Sequence, residues 1–221
     1  MKKTVFISVG TVVVVVLISL ALVFALGGKD ELPKEDPVSL EGNWVIAAMC
    51  VADHPEFVQN QTIVFTEDRV AMYKEDHSDP YASSTYSVSE AGTLSLPDMS
   101  RQYRVDVKTN NCIRLYEDTT SYMLIIRNDG DLDANIFQGK WKVAMKGDLR
   151  NSGERMEFSG NSLNYYKGES ETPAASAEFT LSETGILVVE KLGFTMHCYR
   201  VSQDTLVFIE QNGVVWELVR T

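Results

Sequence analysis

From residue 42 onward, apolar and polar residues alternate with a period of two in short runs, broken by "TEDR", "SGNS", "EAGT", "ETGI", "KTNN" and "QNGV". A period of two puts successive side chains on opposite faces of a strand. The Gly, Asn and Asp of the breaks supply the backbone freedom that tight hairpins need. The pattern predicts strands near 43–51, 61–67, 69–75, 82–89, 93–97, 101–108, 112–117 and 121–127. It predicts a second set near 140–146, 154–159, 162–167, 176–182, 186–191, 195–202, 205–210 and 214–220. The chain beyond residue 41 reads as all-β, with eight strands in each of two halves.

The halves read as copies. At an offset of 93, Phe65 falls on Phe158, Tyr73-Lys74 on Tyr166-Lys167, "SEAGTL" on "SETGIL" and Arg127 on Arg220. Trp44 to Trp141 is an offset of 97, and "YRV" at 103 to "YRV" at 199 is one of 96. Two length changes are therefore assigned to loops, where insertions are tolerated. The predicted domains are 41–128 and 138–221, with a short polar connector at 129–137.

Eight hairpin-linked strands left open expose two unpaired edges, and joining the first strand to the last removes them. A closing device recurs in both halves: Gly42-Asn43-Trp44 with Arg127, and Gly139-Lys140-Trp141 with Arg220. An indole face against a guanidinium is worth about 0.5–2 kcal/mol, depending on desolvation. This combination resembles the signature of the lipocalins and the wider calycins, in which a first-strand Trp stacks under a late-strand Arg. The resemblance implies two tandem eight-stranded antiparallel up-and-down barrels and, in lipocalins, a pocket for a small hydrophobic ligand. Each half is little more than half the length of a full lipocalin and lacks its carboxy-terminal helix.

Alternation from Trp44 points Ile46 and Ala48 inward, together with Tyr103 and Val105; in the second half it points Trp141, Val143, Met145, Tyr199 and Val201 inward. Such large residues fill a barrel of eight short strands, so a packed interior is expected over an open pocket.

The amino terminus has a different pattern. Residues 4–28 carry no charge, and "TVVVVVLISLALVFAL" is apolar apart from Thr11 and Ser19. At about 1.5 Å per residue such a helix reaches about 35 Å, enough for a hydrocarbon core of about 30 Å. We read 1–28 as a single-pass membrane anchor rather than a cleaved signal, whose apolar region is shorter. Lys2 and Lys3 precede it, which places the amino terminus in the cytoplasm and everything after Lys29 outside. Residues 29–40, with Pro33 and Pro37, form a charged stalk.

The chain carries 31 acidic and 20 basic residues, a net charge of −11. Affinity for nucleic acid comes from Lys and Arg, so no nucleic-acid partner is expected. Three cysteines, Cys50, Cys112 and Cys198, are an odd number without C-x-x-C spacing, and each reads as a small buried hydrophobe.

Little candidate chemistry remains. His54, Asp76, His77 and Asp79 fall in loops at one end of the first barrel and offer a candidate first shell for a divalent cation, against the reading of solvated loop charge. "DGDLDANIFQGK" opens like a calcium loop but has Ala134 where the turn needs Gly and Lys140 where a bidentate Glu belongs. Asn60-Gln61-Thr62 is a glycosylation sequon. No nucleophile elbow, phosphate loop or H-E-x-x-H helix occurs, so neither catalytic nor cofactor-binding residues are assigned and the chain is not expected to be an enzyme. The expectation is a membrane-anchored extracytoplasmic binding or interaction protein, engaging a surface protein through barrel rims or the groove between barrels. The alternative is capture of a small apolar ligand in a barrel mouth.

Overall fold

The computed structural model describes residues 39–221 apart from 53, 75, 76, 129, 131 and 133, so the predicted anchor and nearly all of the stalk lie outside the described residues. In the first half the strands are β1 (Gly42–Val51), β2 (His54–Phe57), β3 (Gln61–Phe65), β4 (Arg69–Lys74), β5 (Ala82–Thr85), β6 (Ser87–Val88), β7 (Thr93–Leu96), β8 (Arg101–Thr109), β9 (Cys112–Tyr116) and β10 (Tyr122–Arg127). A four-residue helix α1 (Ala134–Phe137) precedes the second set. That set is β11 (Gly139–Lys146), β12 (Leu149–Arg150), β13 (Arg155–Ser159), β14 (Ser162–Tyr166), β15 (Ala175–Glu178), β16 (Thr180–Leu181), β17 (Ile186–Val189), β18 (Phe194–Ser202), β19 (Thr205–Glu210) and β20 (Val215–Arg220). Among the described residues no helix is long and apolar enough to cross a membrane.

Each half is a nearly closed antiparallel barrel, and Ser39–Thr221 form one compact unit. The expected eight strands become a sheet of ten in each barrel. Two local events account for the difference. The strand foreseen at 82–89 breaks at Tyr86, so β5 pairs with β4 while β6 pairs with β7; Phe179 breaks its counterpart in the same way. At each break the aromatic N–H turns to the preceding hairpin, Tyr86 to Asp68 O at 3.0 Å and Phe179 to Asn161 O at 2.8 Å. The other addition is a short strand, β2 or β12, folded back on the far end of β1 or β11. First and last strands pair as closure requires, Trp44 opposite Arg127 and Trp141 opposite Arg220.

The closed end is built the same way twice. Each guanidinium lies 4.3 Å from the centroid of its Trp ring. Arg127 also donates from Nη1 to Glu41 O at 3.0 Å and from Nη2 to Ser39 O at 2.9 Å; Arg220 donates to Gln138 O at 2.7 Å and Ile136 O at 2.9 Å. Each indole Nε1–H donates at 2.7 Å to a carbonyl four residues upstream, Leu40 O or Phe137 O. Leu40 and Phe137 are buried, and Phe137 packs against Phe158, Phe179 and Phe208. The segment entering each barrel thus plugs its floor, and one Arg ties plug, first strand and last strand together.

The glycine of each Gly-x-Trp is required by the same contact. Gly42 and Gly139 have φ of +117° and +113°, and a Cβ would lie 2.7 Å and 3.0 Å from the Arg Nη1 above it. A side chain there meets both backbone strain and the guanidinium.

Inside the second barrel, Trp141, Val143, Phe158, Leu187, Phe208 and Leu218 are at most 1% exposed and belong to one continuous cluster. A bulge just beyond each Trp then reverses the alternation: the β1–β10 register shifts between Ile46 and Ala48, and the β11–β20 register between Val143 and Met145. An inserted residue moves everything after it to the opposite face. Ala48 and Met145, expected inside, instead face outward, where they join Ala47, Cys112, Leu124, Ile126, Val207, Ile209 and Val215 in an apolar core between the barrels. Polar ties surround that core. Lys108 pairs with Asp148 at 2.9 Å, and Arg114 Nη2 donates to Gly213 O at 2.9 Å.

Tyr199 and Val201 also pack on this outer core rather than inside. The "YRV" match explains the error. Leu94 pairs with Tyr103 and Leu187 with Met196, so Tyr103 corresponds to Met196, and the recurrence of "YRV" at 199 is out of register. Every ladder from β3 onward aligns at the offset of 93, leaving one length change, between Trp and the next long strand.

Gly42→Ala and Gly139→Ala are each expected to lower stability by about 1–3 kcal/mol, read as a lower urea midpoint at unchanged slope. An unchanged midpoint contradicts the role given to these glycines.

Candidate functional site

That length change builds the site. Trp44 pairs with Ile63 and Trp141 with Met156, so the first barrel holds four more residues in this connection than the second. The longer connection forms β2 and the loop Val58–Asn60, and it stands against the second barrel. Phe57 at the end of β2 stacks on His197 of β18, with ring centroids 3.6 Å apart and planes 7° from parallel. Above this stack opens a cleft of about 710 Å³. Its walls are the β1 segment Val45–Ile46, the run Val58–Thr62, Tyr73 and Lys74 at the end of β4, the turn Glu183–Gly185 between β16 and β17, and His197–Tyr199 of β18. Asn128, Gly130 and Leu132 of the connector contribute the remaining side.

Asn60 adopts φ of +61°, a left-handed conformation uncommon outside glycine. Its sequon therefore lies on the cleft wall. Tyr199 donates to Ala47 O across the barrels at 3.5 Å. Burial holds the His197 imidazole below its ordinary pKa, so it is neutral at pH 7. Cys198 is buried and its thiol pushed up by desolvation; Cys112, within the interbarrel core, is pushed up to about 12 for the same reason. All three cysteines are free and buried, and the raised thiols of Cys112 and Cys198 are poor nucleophiles.

Of the four candidate metal ligands, His54 is exposed on β2 opposite Val51, while His77 and Asp79 are exposed between β4 and β5; Asp76 lies outside the described residues. Among the described residues no three His, Cys, Asp or Glu side chains are grouped to hold a metal ion. His77 instead borders the cleft. Phe57, Gln59, Thr184 and His197 were not singled out as a site by the sequence. The mismatch between offsets of 97 and 93 was the available signal, since it marks where the two copies stop being equivalent.

Two tandem nearly closed antiparallel barrels define the class to which the described region belongs. No protein-family model matches the chain, and no curated protein matches it. Among solved structures, one from Eubacterium rectale, assigned provisionally as a DNA polymerase III beta subunit, is 8% identical. The match covers 78% of this chain and 56% of that one, so the chain spans little more than half its length. Its TM-score of 0.15 is too low to indicate a shared fold.

The Phe57–His197 stack has a pH consequence with a definite sign. The unfolded chain gains a proton at His197 near the ordinary value of 6.5, the folded chain only at lower pH. The stack's contribution is therefore complete above that value and is lost as the pH falls through the folded pKa. His197→Gln is expected to flatten the fall in urea midpoint between about pH 7 and pH 5; equal slopes in wild type and variant contradict it.

Proposed function

We propose that this chain is a membrane-anchored extracytoplasmic binding protein with two lipocalin-like domains, and that the cleft between them is its binding surface. The cleft carries the reading. Two barrels docked through an apolar core and a ring of polar ties hold its walls in fixed relation, the pre-organisation that binding sites use. The lipocalin-like character is supported by the Trp–Arg stack repeated at both floors. The anchor, the cytoplasmic amino terminus and the extracytoplasmic location of the rest are supported by the uncharged run at 4–28 behind Lys2 and Lys3.

Capture of an apolar ligand inside a barrel is less well supported, because the second barrel's interior is filled by side chains. A binding role fits the cleft better than catalysis. Its one thiol, Cys198, is buried and protonated, and of its two imidazoles His197 is engaged with Phe57 while His77 is exposed, with no thiol or metal cluster beside it among the described residues.

Native mass spectrometry of the full chain, taken from its membrane in detergent, tests the reading. The wild-type protein is expected to carry an added mass that Thr184→Trp, a bulky change at an exposed cleft position, removes without unfolding the chain. An added mass that survives Thr184→Trp, or none on the wild type, contradicts it.

A further inference from the structure

Resting on the cleft as the binding surface, the chemistry of its walls narrows the ligand, and we propose that it receives a neutral, hydroxyl-rich molecule: a saccharide chain. Charge is the first argument. In a protein with 31 acidic and 20 basic residues, the full charges among the described residues that line the cleft are one of each sign, Lys74 and Glu183. Such a site exerts little net attraction on either a polyanion or a polycation.

Hydrogen-bonding capacity is the second. Among the described residues, the side chains of Gln59, Asn60, Thr62 and Tyr73 line the cleft and make no hydrogen bond within the protein. Amides and hydroxyls both donate and accept, which is what sugar hydroxyls require of a partner. An apolar ligand would strip water from these groups and return nothing. A sugar's C–H faces find apolar surface at Val45, Leu132 and the His197 ring, which Phe57 backs.

Backbone availability is the third. A peptide that binds by strand addition needs an unpaired sheet edge. Two of the wall strands are already paired on both sides, β1 with β10 and β3, and β18 with β17 and β19, whereas the end of β4 at Tyr73 and Lys74 pairs with β3 alone. Along β1 and β18 the cleft thus offers side chains and withholds main chain.

The test is calorimetric titration of the full chain in detergent with neutral α- and β-linked glucan, mannan and N-acetylglucosamine oligomers. Sulfated oligosaccharides and unstructured peptides serve as comparison probes. At least one neutral oligosaccharide is expected to bind saturably, with Gln59→Ala and Tyr73→Phe each weakening it roughly fivefold at unchanged melting temperature. Binding of sulfated oligosaccharides or peptides in place of neutral ones overturns the ligand class and leaves the cleft standing. Neutral-saccharide binding unaffected by Thr184→Trp overturns the cleft itself, and no binding of any probe overturns the proposal.

Discussion

One guanidinium at the floor of each barrel holds three parts of the chain at once. Arg127 and Arg220 each sit on an indole of the first strand, belong to the last strand, and donate to carbonyls of the segment that enters the barrel. Stacking and bidentate donation need a planar, permanently charged fork, which lysine does not provide. The glycine two residues before each Trp follows from this, since any Cβ there collides with Nη1. Closure therefore depends on one geometric unit of Gly, Trp and Arg, and the register of the first strand follows from it.

What lies beyond depends on that register. The bulge just past each Trp turns the upper half of the first strand outward, so that residues such as Ala48 and Met145 leave their own barrel and cover the neighbour. The duplicated barrels are therefore fused by the same strands that close them. A four-residue difference in the following connection then breaks the equivalence of the copies and builds a wall in the first barrel that the second lacks. The cleft proposed as the binding surface lies where the repeat is imperfect.

Much of the fold was legible in the sequence. Period-two alternation located seven strands of each half and the span of an eighth that proves to be split, and the paired Gly-x-Trp and Arg located the closure. The breaks at Tyr86 and Phe179 were not legible, because a strand that changes partners keeps its alternation. The bulges were hidden for a related reason: "WVIAAMC" and "WKVAMK" contain no glycine or proline to mark an extra residue. The "YRV" recurrence misled, since local identity outweighed the register that cross-strand pairing imposes. The cleft was the least visible. Its residues are scattered over β1, β3, β4, β18 and four loops, and no spacing in the sequence joins Phe57 to His197.

The seal at the floor is tested most directly by a double-mutant cycle on the second barrel, using Trp141→Phe, Arg220→Lys and the double variant, with stability read from urea unfolding. The account predicts a coupling energy of about 1–2 kcal/mol between the two positions, because each change removes part of the same stacked unit. Additive effects, with coupling indistinguishable from zero, would contradict it.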